Sequence, residues 1–125
     1  ASREASPPLE ISVGRLAAIA EAAYKRGDFV AAADAYAELV SRIPSDGRIY
    51  YNLGVCYYNM KDYAKAEGDF LKCLTLISND AEIYLYLGHC QFLQGRLDEA
   101  RKSWEHAVRL DPSNEMAKFL LNTSR

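Results

Sequence analysis

The feature that most constrains this chain is that it repeats itself every 34 residues. Windows opening at Val13, Gly47 and Ala81 align without a gap, so that KRGDFVAAADAYAELVSRIPSD lies over NMKDYAKAEGDFLKCLTLISND and LQGRLDEARKSWEHAVRLDPSN. A fixed period of this kind means one small unit is copied, and that the copies must stack, because a single unit cannot bury its own apolar face. Within each window apolar residues recur at steps of three and four, twice over, which is the spacing of two helices with one buried stripe each. The turns between them fall at Gly27-Asp28, Lys61-Asp62 and Gly95-Arg96. Glycine suits the left-handed residue that ends a helix. Lys61 in the same conformation is expected to cost about 1 kcal/mol.

Counting places within a window, small residues stand at place 8 (Ala20, Gly54, Gly88) and at place 20 (Ala32, Ala66, Ala100). With little or no side chain there, the two backbones can approach closely. Large residues at places 4, 7, 11 and 24, among them Leu16, Ile19, Tyr50, Leu53, Leu87, Tyr36, Phe70 and Trp104, are expected to fill the space around that contact. Tyr57 and Tyr63 read as packing residues too. Asp46, Asp80 and Asn114 precede successive windows' first helices and read as N-caps, their side-chain oxygens accepting from unpaired backbone N–H groups. Asp28 and Asp62 read the same way for the second helices. Gly68, inside a helix, should cost about 1 kcal/mol relative to alanine. Cys56, Cys73 and Cys90 fall at packing places, so they read as buried, reduced thiols rather than a disulfide framework. That favours a reducing compartment such as the cytoplasm.

Acids and bases nearly balance, 17 against 15 for a net charge of −2, and both signs are spread along the chain. This argues against nucleic acid, which needs a basic face, and against direct membrane binding. No Ser-His-Asp set, glycine-rich phosphate loop, paired-acid pocket or metal-ligand spacing stands out. His89 and Cys90 are adjacent and point about 100 degrees apart on a helix. His106 reads as outer surface. The expectation is therefore no enzyme, no cofactor, no metal and no catalytic residue. Residues 1–12 read as a tail or helix lead-in, with Ser6 as a cap and Pro7 in a first turn. The repeats follow as 13–46, 47–80 and 81–114, and 115–125 as a partial capping helix. The start at Ala1 suggests a processed or excised piece.

The residues at these places resemble the tetratricopeptide repeat. The second copy supplies Tyr50, Leu53, Gly54, Tyr57, Ala66 and Phe70, and the third Tyr84, Leu87, Gly88, Ala100, Trp104, Ala107 and Pro112. The first copy is weaker, Ser78 replaces a helix-ending proline, and Gln91 stands where tyrosine is usual. The resemblance implies an all-α, right-handed superhelical solenoid of three antiparallel helix pairs with a partial seventh helix. It also implies a concave surface lined by the first helix of each pair. On that surface the expected peptide-binding groove comprises Tyr24, Arg48, Tyr51, Asn52, Val55, Tyr58, Asn59, Leu85, Tyr86, His89 and Phe92. So many aromatic and apolar residues on a face that would otherwise be solvated mark an interaction site.

Members of the family that hold acidic chaperone tails use a carboxylate clamp. At its places this sequence has Ala17, Glu21, Asn52, Glu82 and Tyr86, and only Asn52 fits. The expected partner is instead another protein, through a segment with apolar anchors. Asn52 and Asn59 would bond its backbone, Arg48 and Lys25 would pair with its acids, and Glu82 with a base. Two rival expectations are a scaffold that self-associates end to end through Phe119 on the C-terminal helix, and a chaperone for a secreted or membrane-active partner.

Overall fold

The computed structural model describes residues 10–124, and those residues form seven helices and no strand. They are α1 (Val13–Lys25), α2 (Phe29–Arg42), α3 (Gly47–Asn59), α4 (Tyr63–Leu76), α5 (Ala81–Leu93), α6 (Leu97–Leu110) and α7 (Glu115–Thr123). Each helix packs on the next along the chain, from α1 on α2 to α6 on α7. The result is an all-α solenoid. No described helix is long and apolar enough to cross a membrane.

The helix ends follow the side chains. Asp28, Asp46, Asp62, Asp80 and Asn114 each accept from a backbone N–H two or three residues on, at 2.9–3.3 Å. Ser12 does the same for α1, accepting from Arg15 at 3.2 Å. Ser6 and Pro7 lie outside the described residues. Arg96 begins α6 without a side-chain cap. Its guanidinium instead donates to Glu67 of α4, which also accepts from Gln94 at 2.9 Å. That carboxylate therefore ties the third repeat's turn to the second repeat. Gly27, Lys61 and Gly95 take positive φ of 78°, 63° and 84°, so Lys61 carries the strain its sequence position implied. Asn79 also sits at φ 63°, in the link where Ser78 stands for proline. Asparagine tolerates that region better than most residues.

Close approach of paired helices rests on what place 8 lacks. A Cβ on Gly54 would lie 2.9 Å from Phe70, and one on Gly88 would lie 2.3 Å from Trp104 Nε1. In the second and third repeats the aromatic ring of the second helix thus lies directly against bare backbone of the first. Phe70 and Trp104 are 0% and 2% exposed. Gln91 is buried as well, and the hydroxyl of Ser103 donates to its Oε1 at 2.6 Å. A buried amide is tolerable where it is paired in this way. Cys56, Cys73 and Cys90 are fully buried and free. Burial pushes their thiols up to about 11, 11 and 12, so they act as small apolar packing residues.

One core expectation needs correction. Ile19 is 42% exposed, whereas its equivalents Leu53 and Leu87 are 5% and 4%. Those two lie under the helix pair before their own, and among the described residues no pair precedes α1. His106 is also not bare surface. Its ring stacks on Tyr84 at 4.1 Å, and Arg109 donates to its Nδ1 at 3.1 Å.

Two glycine-to-alanine changes should have opposite signs. Gly68 has open space around its missing Cβ, so Gly68→Ala is expected to stabilise by about 0.5–1 kcal/mol. Gly88→Ala drives a methyl into Trp104 and is expected to destabilise by about 1–3 kcal/mol. Urea unfolding of both variants measures the contrast. A pH effect follows from Asp69, whose carboxyl is pushed from 3.8 up to about 6, chiefly by burial, with Lys65 opposing. The folded state therefore holds this proton more tightly than the unfolded state. Stability from this residue is present at low pH and is lost as pH rises through about 6. Asp69→Asn should flatten that part of the stability–pH curve.

Candidate functional site

Most residues at places 2, 5, 6, 9 and 12 of the first helices line three adjoining hollows on one side of the stack. The first, about 540 Å³, lies between the first and second repeats. Ala17, Glu21 and Tyr24 of α1, Tyr36 and Leu39 of α2, Ile43, and Arg48, Ile49 and Asn52 of α3 line it. Arg48 and Asn52 also border the second hollow, about 290 Å³, together with Tyr51, Ile77, Asp80 and Ile83. The third, about 270 Å³, is lined by Tyr58, Glu82, Leu85, Tyr86, His89 and Met116. A Tyr51–Tyr86 edge contact at 5.9 Å joins the second hollow to the third.

The tyrosines do two jobs here. Tyr86 stacks on Phe70 at 5.2 Å and makes perpendicular contacts with Tyr51 and with Tyr58, the latter at 5.4 Å. Tyr51 also packs on Phe70, and Tyr58 on Tyr63 at 5.6 Å. These rings are half-buried, so each spends one side on the neighbouring repeat and leaves the rest facing the hollows. Burial raises the phenols of Tyr51, Tyr58 and Tyr86, which are therefore neutral. The charge of Glu82 adds to the rise at Tyr51 and Tyr86.

Of the eleven groove residues expected from sequence, eight line these hollows: Tyr24, Arg48, Tyr51, Asn52, Tyr58, Leu85, Tyr86 and His89. Three do not. Val55 is 2% exposed in the core cluster that also holds Ile83 and Leu87, and it lines none of the hollows. Asn59 turns its amide back to donate to the Val55 carbonyl at 2.8 Å, which occupies one of the donors expected for a peptide. Phe92 is half exposed and leans on Trp104 at 5.9 Å, but it lines none of the hollows. Tyr36, Leu39, Ile43, Ile49, Ile77 and Ile83 also line the hollows, outside the groove expected on the first helices, and so does Met116 of α7. It sits one period after Glu82 and two after Arg48, so extending the repeat register beyond Asn114 would have found it.

The charges are largely settled within the chain. Lys25 pairs with Glu21 at 3.0 Å, and Arg48 with Asp46 at 3.3 Å. The arginine and that acid also shift each other, the hydrogen bond from Arg48 holding the Asp46 carboxyl below its usual range. His89 Nδ1 lies 2.7 Å from the Leu85 carbonyl. A carbonyl only accepts, so Nδ1 carries a hydrogen, and in the neutral ring Nε2 keeps its lone pair. None of these groups forms a catalytic set, and the described residues contain no cluster of metal-ligating side chains.

Residues 47–80 and 81–114 each match a family model described as tetratricopeptide repeat. No curated protein matches the sequence. Among solved structures, the chain is similar to the first TPR of Spaghetti (RPAP3) bound to the HSP90 peptide SRMEEVD, at 25% identity over 90% of this chain and 89% of that one, TM-score 0.83. It is also similar to the Arabidopsis OM64 TPR domain, at 24% identity over 90% and 93%, TM-score 0.84. A third is the Yersinia enterocolitica type III secretion chaperone SycD in complex with a peptide of the translocator YopD, at 20% identity over 93% and 96%, TM-score 0.83. With more than half of its length matched by the two models, the chain belongs to the tetratricopeptide repeat family, whose domains are non-enzymatic modules of protein–protein interaction.

Proposed function

We propose that this domain binds a segment of another protein, which lays large apolar side chains into the hollows along α1, α3 and α5. One observation carries the reading: the largest of the three hollows, about 540 Å³, has Tyr36, Ile43 and Ile49 on its floor and a rim whose cations are already paired with acids of this chain, Lys25 with Glu21 and Arg48 with Asp46. Such a surface favours apolar anchors and offers little to an acidic tail. The Spaghetti domain holds SRMEEVD, a peptide with two glutamates and an aspartate. Here Glu21 and Glu82 face the groove instead, and carboxylates there would repel such a peptide.

The self-associating scaffold has less support. Phe119 is 60% exposed, but it stands one period after Leu85 and two after Tyr51. That register assigns it to the groove stripe rather than to a stacking end. The likeness to SycD is one of fold and adds nothing specific for a chaperone role.

A library of displayed random peptides tests the reading. Sequences retained by the domain should be rich in Leu, Ile, Phe, Met or Trp. Ala17→Trp fills the largest hollow from an exposed place and should abolish their binding without moving the unfolding midpoint. Retention of hydrophilic sequences, or unchanged binding by Ala17→Trp, would contradict it. Tyr86→Ala, by contrast, should lower stability by about 2 kcal/mol, because the ring packs on Phe70, Tyr51 and Tyr58.

A further inference from the structure

We propose that the hollow between α3, α5 and α7 receives a cationic side chain, lysine or arginine, of the bound segment. This rests on the groove reading above and specifies what its C-terminal part selects. The sequence offered a partner three charged contacts, at Lys25, Arg48 and Glu82. Two are already used, Lys25 by Glu21 at 3.0 Å and Arg48 by Asp46 at 3.3 Å. The Glu82 carboxylate makes no ion pair and no hydrogen bond among the described residues. Lys118, on the neighbouring helix α7, pairs with Glu115 at 3.5 Å.

The rest of the lining has the same polarity. The neutral ring of His89 presents a lone pair at Nε2, because its Nδ1 donates to the Leu85 carbonyl. Tyr58 and Tyr86 contribute aromatic rings, whose faces attract cations. Leu85 and Met116 supply apolar wall of the kind that covers the methylene stem of a lysine or arginine while its charged head reaches a carboxylate. An acidic side chain here would meet Glu82 with no lining cation to offset it. A purely apolar one would desolvate that carboxylate without replacing its water. A cation satisfies the carboxylate, the imidazole and the rings together.

The peptides retained in the display selection read this out. The wild type should enrich lysine or arginine at a fixed distance from an apolar anchor, and replacing that residue by alanine in a synthetic peptide should weaken binding about tenfold. Glu82 is exposed in the first turn of α5, so its substitution leaves the core alone. Glu82→Gln should erase the basic preference, and Glu82→Lys should turn it to aspartate or glutamate. Apolar peptides without a basic preference, or a basic preference untouched by Glu82→Lys, would overturn this inference and leave the groove reading intact. Should Glu82→Lys fail to fold, the alanine-substituted peptide decides alone, and equal affinity overturns the inference. Retention of hydrophilic peptides, or of none, would overturn both.

Discussion

The structure depends on an aromatic ring lying against backbone that carries no side chain. Phe70 rests on Gly54 and Trp104 on Gly88, at distances that leave no room for a methyl group. This contact sets how close the two helices of a repeat come. Because it recurs at one period, the same spacing recurs at each step of the stack. The spacing in turn decides where the first helices leave hollows on the exposed side. In the first repeat Ala20 and Tyr36 take the corresponding places, both in the core. The groove is thus a by-product of packing, and its chemistry is set by the few places the packing leaves free.

Those free places were only partly legible. The helices, their caps and the glycine contact could be read because each is fixed by residues inside one period. Val55 could not, since its burial depends on how α5 of the following repeat lies over α3, and no spacing within a window reports that. Ile19 fails for the complementary reason, having the right residue for a core place but no described pair before it. Asn59 was read as a free amide, yet a helix carbonyl one turn back is always within its reach. Met116 lies past the last full copy, where the same register runs on into α7. The cysteines, at packing places in the repeat, needed nothing beyond position.

Electrostatics separates this groove from that of a domain built for acidic tails. At the clamp places it has Ala17, Glu21, Asn52, Glu82 and Tyr86, of which only Asn52 fits, and the two nearby cations pair with Glu21 and Asp46 of this chain. Aromatic rings occupy the space instead. Edge and stacked contacts among Tyr51, Tyr58, Tyr86 and Phe70 join the second and third repeats and hold the remaining ring surface rigid. A preorganised aromatic surface loses little freedom on binding, which is why such rings dominate interfaces.

The account stands on the claim that a partner segment lies in the hollows along α1, α3 and α5. The most direct measurement is a map of backbone amide shifts on titrating the labelled domain with its tightest selected peptide. The account predicts that Ala17, Asn52, Tyr86 and Met116 move, while Asp34, Leu71 and Glu105 on the second helices stay still. Movement confined to the second helices, with the first helices silent, would contradict it.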